Sequence, residues 1–184
     1  MFLAEECGVE AWAADLWIPP TENWRRIQAA GLGGRVFPLH AEAHTLPFAA
    51  GFFDAIVSFD AYHYFGTNAL YTADVARFVR PGGAIGIAVP GLTEELESLP
   101  AHLEPYWDPA CWSFHSPAWW QRHWERSGAF ANIRSGLIPD GAALGERWLE
   151  LSAEAGFPSE DERAMVAEDG GRVLGFTWMV GTVR

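Results

Sequence analysis

Two apolar runs, Phe53 to Phe59 and Ala84 to Val89, lie either side of a helical stretch and the turn Pro81-Gly82-Gly83. A strand that is apolar at nearly every position needs cover on both faces. Parallel strands joined by crossover helices provide that cover. The pair therefore constrains the chain to a layered α/β architecture.

The rest of the chain keeps the alternation. Met1 to Cys7 reads as the end of a helix closed by Gly8. Val9 to Ala14 is a short strand ending in Asp15, and Glu22 to Ala30 is a helix with Trp24 and Ile27 on one face. Arg35 to His40 is a strand that contains Pro38, and proline cannot donate to a ladder, so it belongs at a sheet edge. Asn68 to Val79 reads as a helix. Ser116, Pro117 and Gly128 are the N-cap, first-turn proline and closing glycine of another. Phe130 to Ile138 and Val173 to Val183 are two late strands with helical sequence between them. The expected fold is a doubly wound, mainly parallel sheet with an antiparallel C-terminal strand, formed by one domain over residues 1–184.

Charge narrows the partners. Twelve Lys and Arg against 24 Asp and Glu give a formal charge of −12, which disfavours nucleic acid and anionic membrane surfaces. Cys7 and Cys111 are far apart and form no CxxC, so neither a disulfide framework nor a metal site is expected. The segment from Met1 to Glu6 lacks the basic start of a signal peptide, and a cytoplasmic location is expected. Oligomers are compatible with all of this. Tryptophan is enriched, and five of the ten fall between Trp107 and Trp124. Trp120 and Trp124 share a helical stripe suited to packing, whereas Tyr106, Trp107, Trp112, Phe114 and His115 precede the helix and suit the wall of a pocket.

In sheets of this kind ligands bind outside the carboxyl ends of the strands. That rule selects Asp15, Glu42, Asp60 to Tyr64, and Pro90-Gly91. Asp15 has the chemistry to accept both hydroxyls of a ribose, and equally the chemistry of a solvated turn. His63 has the intrinsic pKa of a general base. Next to it stand Tyr62 and Tyr64, and all three are also suited to capping or packing under a helix. His44 reads as a surface loop residue.

Three phrases in order, Ala41-Glu42-Ala43-His44-Thr45-Leu46-Pro47-Phe48, Phe53-Asp54-Ala55-Ile56-Val57-Ser58 and Val79-Arg80-Pro81-Gly82-Gly83, resemble the class I S-adenosylmethionine (SAM) dependent methyltransferases. The likeness is to their small-molecule, methyltransferase type 11-like branch. It implies a Rossmann-like methyltransferase sheet, SAM as cofactor and a small-molecule methyl acceptor. It assigns Asp15 to the ribose, Leu16 and Trp17 to the adenine face, and Glu42 with the Ala43 backbone to the adenine edge. Asp60 joins the cofactor side, and His63 and Tyr62 the catalytic side. Glu42 stands where Asp is commoner.

The resemblance also places the family's first strand and glycine-rich loop ahead of residue 1. The expectation is therefore a sheet lacking its first strand, with SAM binding impaired. Val9–Ala14 and Phe53–Phe59 would then either pair directly or leave an open lane. Two other functions suit the same residues: an NAD(P)-dependent oxidoreductase, using Asp15 on the cofactor ribose, and a catalytically inactive binding protein.

Overall fold

A computed structural model describes residues 1–154 and 159–184 of the chain. It divides into two compact units, Met1–Pro47 and Phe48–Arg184.

The first unit holds helix α1 (Phe2–Glu6), strand β1 (Ala11–Asp15), helix α2 (Pro20–Ala29) and strand β2 (Val36–His40). α2 begins two residues earlier than expected because Pro20 fits the first turn, where its missing N–H costs nothing. β1 and β2 pair in parallel, from Ala11 opposite Val36 to Asp15 opposite His40. β1 is the sole partner of β2 in this two-stranded sheet, so Pro38 lies on an edge strand as its chemistry requires. Ala4, Ile27, Leu32 and Val36 form the core of the unit. Trp24 stays largely open while Ile27 is buried.

The second unit contains strand β3 (Phe53–Phe59), short helices α3 (His63–Gly66) and α4 (Tyr71–Ala76), and strand β4 (Val79–Leu92). Helix α5 (Pro117–Ser127), strand β5 (Phe130–Leu137), helices α6 (Gly141–Glu154) and α7 (Glu160–Asp169), and strand β6 (Leu174–Val183) follow. The sheet order is β3-β4-β6-β5. β3 and β4 are parallel, and β6 runs against both β4 and β5. The expected α/β sheet with an antiparallel C-terminal strand is present.

Three local differences from the sequence reading have physical causes. The expected helix from Asn68 to Val79 is the shorter α4, and β4 already begins at Val79. Pro81-Gly82-Gly83 lies within β4, where the register against β3 slips between Phe53 and Ala55. A side chain at Gly83 would sit 2.5 Å from the Asp54 carbonyl oxygen, so only glycine fits that approach. β3 is not covered on both faces: Val57 is 47% and Phe59 68% exposed. As an edge strand with one partner, β4, it lacks the flanking cover its sequence anticipates. β1 and β3 belong to separate sheets.

α5 is capped as its sequence dictates. Ser116 Oγ accepts the Trp119 N–H, and Gly128 closes the helix in the left-handed region. Trp120 and Trp124 are fully buried, and Trp124 stacks on Phe130 with centroids 4.5 Å apart. None of the helices among the described residues is long and apolar enough to cross a membrane.

Candidate functional site

The first unit brings Asp15 and Glu42 to the carboxyl ends of its two strands. Asp15 Oδ1 accepts the N–H groups of Trp17 at 2.7 Å and Ile18 at 2.9 Å, which fixes the turn. The other Asp15 carboxylate oxygen takes no hydrogen bond among the described residues. His40 Nε2 lies 2.9 Å from the Leu16 carbonyl oxygen and ties the turn to β2. Leu16 is open and Trp17 is 85% exposed, an unusual placement for two apolar side chains in succession.

Glu42 has local partners. It caps the 3-10 turn Ala43–Thr45, taking the His44 N–H at 3.0 Å, and His44 Nδ1 stands 2.6 Å from its other oxygen. The hydrogen bond from the His44 side chain lowers its pKa, and the Ala43 N–H also points to this carboxylate. The groups assigned to the adenine edge are therefore already engaged with one another. His44 is a surface residue of this turn, as expected, and it partners Glu42.

The second unit forms a pocket at the carboxyl ends of β3 and β4. Asp60, His63, Tyr64, Pro90 and Gly91, all selected by the strand-end rule, line it. Asp60 sits at φ 52° while its N–H donates to the Ala88 carbonyl oxygen at 2.9 Å, so the chain turns sharply without leaving β4. The pocket walls, which withdraw water from its carboxylate, and then the charge of Glu162 raise its pKa.

His63 is 1% exposed, with its ring 4.0 Å from that of Tyr64 and 5.6 Å from that of Phe114. Its Nδ1 has no hydrogen-bond partner among the described residues. Burial pulls its pKa down to about 4, so the ring is neutral at physiological pH.

Tyr62 does not line this pocket. It is buried against Trp120 and Trp124, with its hydroxyl 3.2 Å from Thr72 Oγ1. Burial raises its pKa to about 12. Successive residues of one turn point apart here, His63 to the pocket and Tyr62 to the core. Of the aromatics before α5, Phe114 reaches the pocket wall, whereas Trp107 and Trp112 pack edge to face on each other at 5.6 Å.

The remaining wall comes from α6, α7 and β6: Gly145, Trp148, Glu162, Met165, Asp169 and Phe176. Sequence reading did not single these out. The Ser159-to-Glu162 spacing was one available signal, and both residues form a capping box at the start of α7. The Asp169 carboxylate accepts the Val173 and Leu174 N–H groups and contacts His102 Nε2 at 3.1 Å. It is structural.

Residues 3–87 match the family model described as a methyltransferase domain. Solved structures share the fold across nearly the whole chain. One, assigned as a sarcosine dimethylglycine methyltransferase from Galdieria sulphuraria, has a TM-score of 0.71 at 19% identity, with 98% of this chain covered and 72% of that one. Phosphoethanolamine N-methyltransferase 2 of Haemonchus contortus, solved with SAM, gives 0.73 at 14% identity, covering 98% and 45%. Geranyl diphosphate C-methyltransferase from Streptomyces coelicolor A3(2), solved with S-adenosyl-L-homocysteine, gives 0.74 at 13%, covering 100% and 66%. The chain thus spans less than half of the second protein and about two thirds of the third. The methyltransferase-domain match thus spans residues 3–87, and the fold of the chain is the one these SAM-dependent methyltransferases share.

Proposed function

We propose that this chain methylates a small-molecule acceptor held in the pocket of Asp60 and His63, with residues 1–184 serving as one catalytic domain. The observation that carries this reading is the pocket's position, at the carboxyl ends of two parallel strands, where ligands of such sheets bind. The methyltransferase match favours this chemistry over NAD(P)-dependent hydride transfer.

SAM, when bound, supplies an electrophilic methyl group on a sulfonium centre. Asp15 fits its ribose, since one carboxylate oxygen remains open beside the fixed turn. Leu16 and Trp17 offer uncovered apolar surface to the adenine. Glu42 and Ala43 fit less well, because their polar groups meet His44 and each other. This reading assigns residues to the adenosine half of SAM and none to its methionine half.

On the acceptor side, the apolar wall holds the substrate and excludes water. The unpartnered, neutral His63 Nδ1 is available to take a hydrogen bond from the attacking group. Positioning is the larger contribution, because in-line displacement depends on alignment. We place the enzyme in the cytoplasm, and the charge of −12 disfavours nucleic-acid partners.

Incubation with SAM and a panel of amines, alcohols and thiols, with S-adenosylhomocysteine measured by mass spectrometry, tests the proposal. Acceptor-dependent product supports it. SAM binding without product from any acceptor points instead to an inactive binding protein.

A further inference from the structure

The pocket's chemistry selects for charge. Its volume is about 150 Å³, the size of a cavity that takes up benzene. Tyr64, Phe114, Trp148 and Phe176 give it an aromatic wall. Among the described residues no lysine or arginine lines it. Of its three carboxylates, Asp169 is committed to backbone N–H groups and Glu162 gives Oε2 to the Ser159 N–H and hydroxyl, which leaves the Asp60 carboxylate and the Oε1 side of Glu162 to meet a ligand. The buried His63 Nδ1 on the same wall lacks a partner, and buried polar atoms are ordinarily satisfied by protein, water or ligand.

We infer that the acceptor is a cationic amine on a small apolar body, its ammonium facing Asp60 and Glu162 and its body against the aromatic wall. This rests on the reading of the pocket as the acceptor's chamber. A phosphate or carboxylate finds no positive side chain there. A neutral ligand leaves Asp60 next to the like charge of Glu162, the second cause, after desolvation, of its raised pKa. A cation relieves that repulsion. The ammonium must lose one proton before its nitrogen becomes a nucleophile. The Asp60 carboxylate, at the pocket, can take that proton and pass it on to solvent as the product leaves.

The test uses benzylamine, benzyl alcohol and phenylacetate as cationic, neutral and anionic probes, titrated calorimetrically into the 184-residue chain without SAM. Benzylammonium should bind at least about tenfold more tightly than benzyl alcohol, and phenylacetate more weakly than either. The double variant Asp60→Asn, Glu162→Gln should lose that preference and keep benzyl alcohol binding. Both changes spare the fold, since asparagine tolerates the positive φ of residue 60 and glutamine serves in a capping box. Equal binding of the three probes, no binding of benzylammonium at millimolar concentration, or a preference that survives in the double variant overturns the inference. Failure of the underlying reading looks different: selective cation binding with no methyl transfer when SAM is added. Transfer to alcohols but not amines would leave the reading intact and overturn the inference.

Discussion

Asp60 and Glu162 stand on one pocket although they lie on different elements, and the pocket walls first and Glu162 second hold the Asp60 carboxyl above its ordinary pKa. Glu162→Gln should therefore move the Asp60 pKa down towards the usual carboxylate range. Carboxyl-carbon NMR titration reads this directly. An unchanged Asp60 titration would show that the two groups do not sense each other.

Burial lowers the His63 pKa from 6.5 to about 4. The unfolded chain then binds a proton that the folded chain refuses. Stability should be full above about pH 6.5 and decline as pH falls towards 4. The difference is worth about 3 kcal/mol. His123 is shifted the same way by burial, so the comparison must be between variants. In His63→Gln the acid-side loss, followed by denaturant melts at several pH values, should shrink by about that amount. Parallel pH profiles for the two proteins would contradict the buried, neutral ring.

Asp15→Asn separates the turn from the ligand. Asparagine keeps an oxygen for the Trp17 and Ile18 N–H groups but carries no charge. Thermal stability should hold, while adenosine and SAM binding weaken by roughly 1.5–3 kcal/mol, the scale of hydrogen bonds to charged groups. Calorimetric titration giving equal affinity for both proteins would remove Asp15 from the cofactor site.

Tyr62→Phe deletes the hydroxyl that meets Thr72 and should cost about 1 kcal/mol of stability. Its methyl-transfer rate should match that of the parent chain. A rate lost out of proportion to stability would return Tyr62 to the chemistry.

Much of this was legible in the sequence because its signals are local. Ser116, Pro117 and Gly128 mark the ends of α5, and Pro38 marks an edge strand. The strand-end rule found Asp60, His63 and Pro90-Gly91 on the pocket. What sequence reading misses depends on distant packing. Residues such as Trp148 and Phe176 reach the pocket only because β6 pairs with β4 and α6 packs on β6. The opposite directions of Tyr62 and His63 follow from one turn's geometry, which residue type does not encode. The local cap of Glu42 was not read either, although its partner, His44, is only two residues away.

The most direct test blocks the pocket and watches the chemistry. A side chain begun at Gly145 on α6 would meet Val166 at 3.5 Å and Phe176 at 4.0 Å, ordinary contact distances at the pocket wall. Gly145→Leu should therefore fill the chamber, while the loss of glycine from a helix favours α6 by up to about 1 kcal/mol. The measurement is transfer of labelled methyl from SAM to a small amine by the parent chain and by this variant, with adenosine binding measured alongside. The account predicts transfer by the parent, strong loss in Gly145→Leu, and unchanged adenosine binding. Equal transfer by both proteins would contradict the pocket as the acceptor's chamber, and no transfer by the parent would contradict the proposed activity itself.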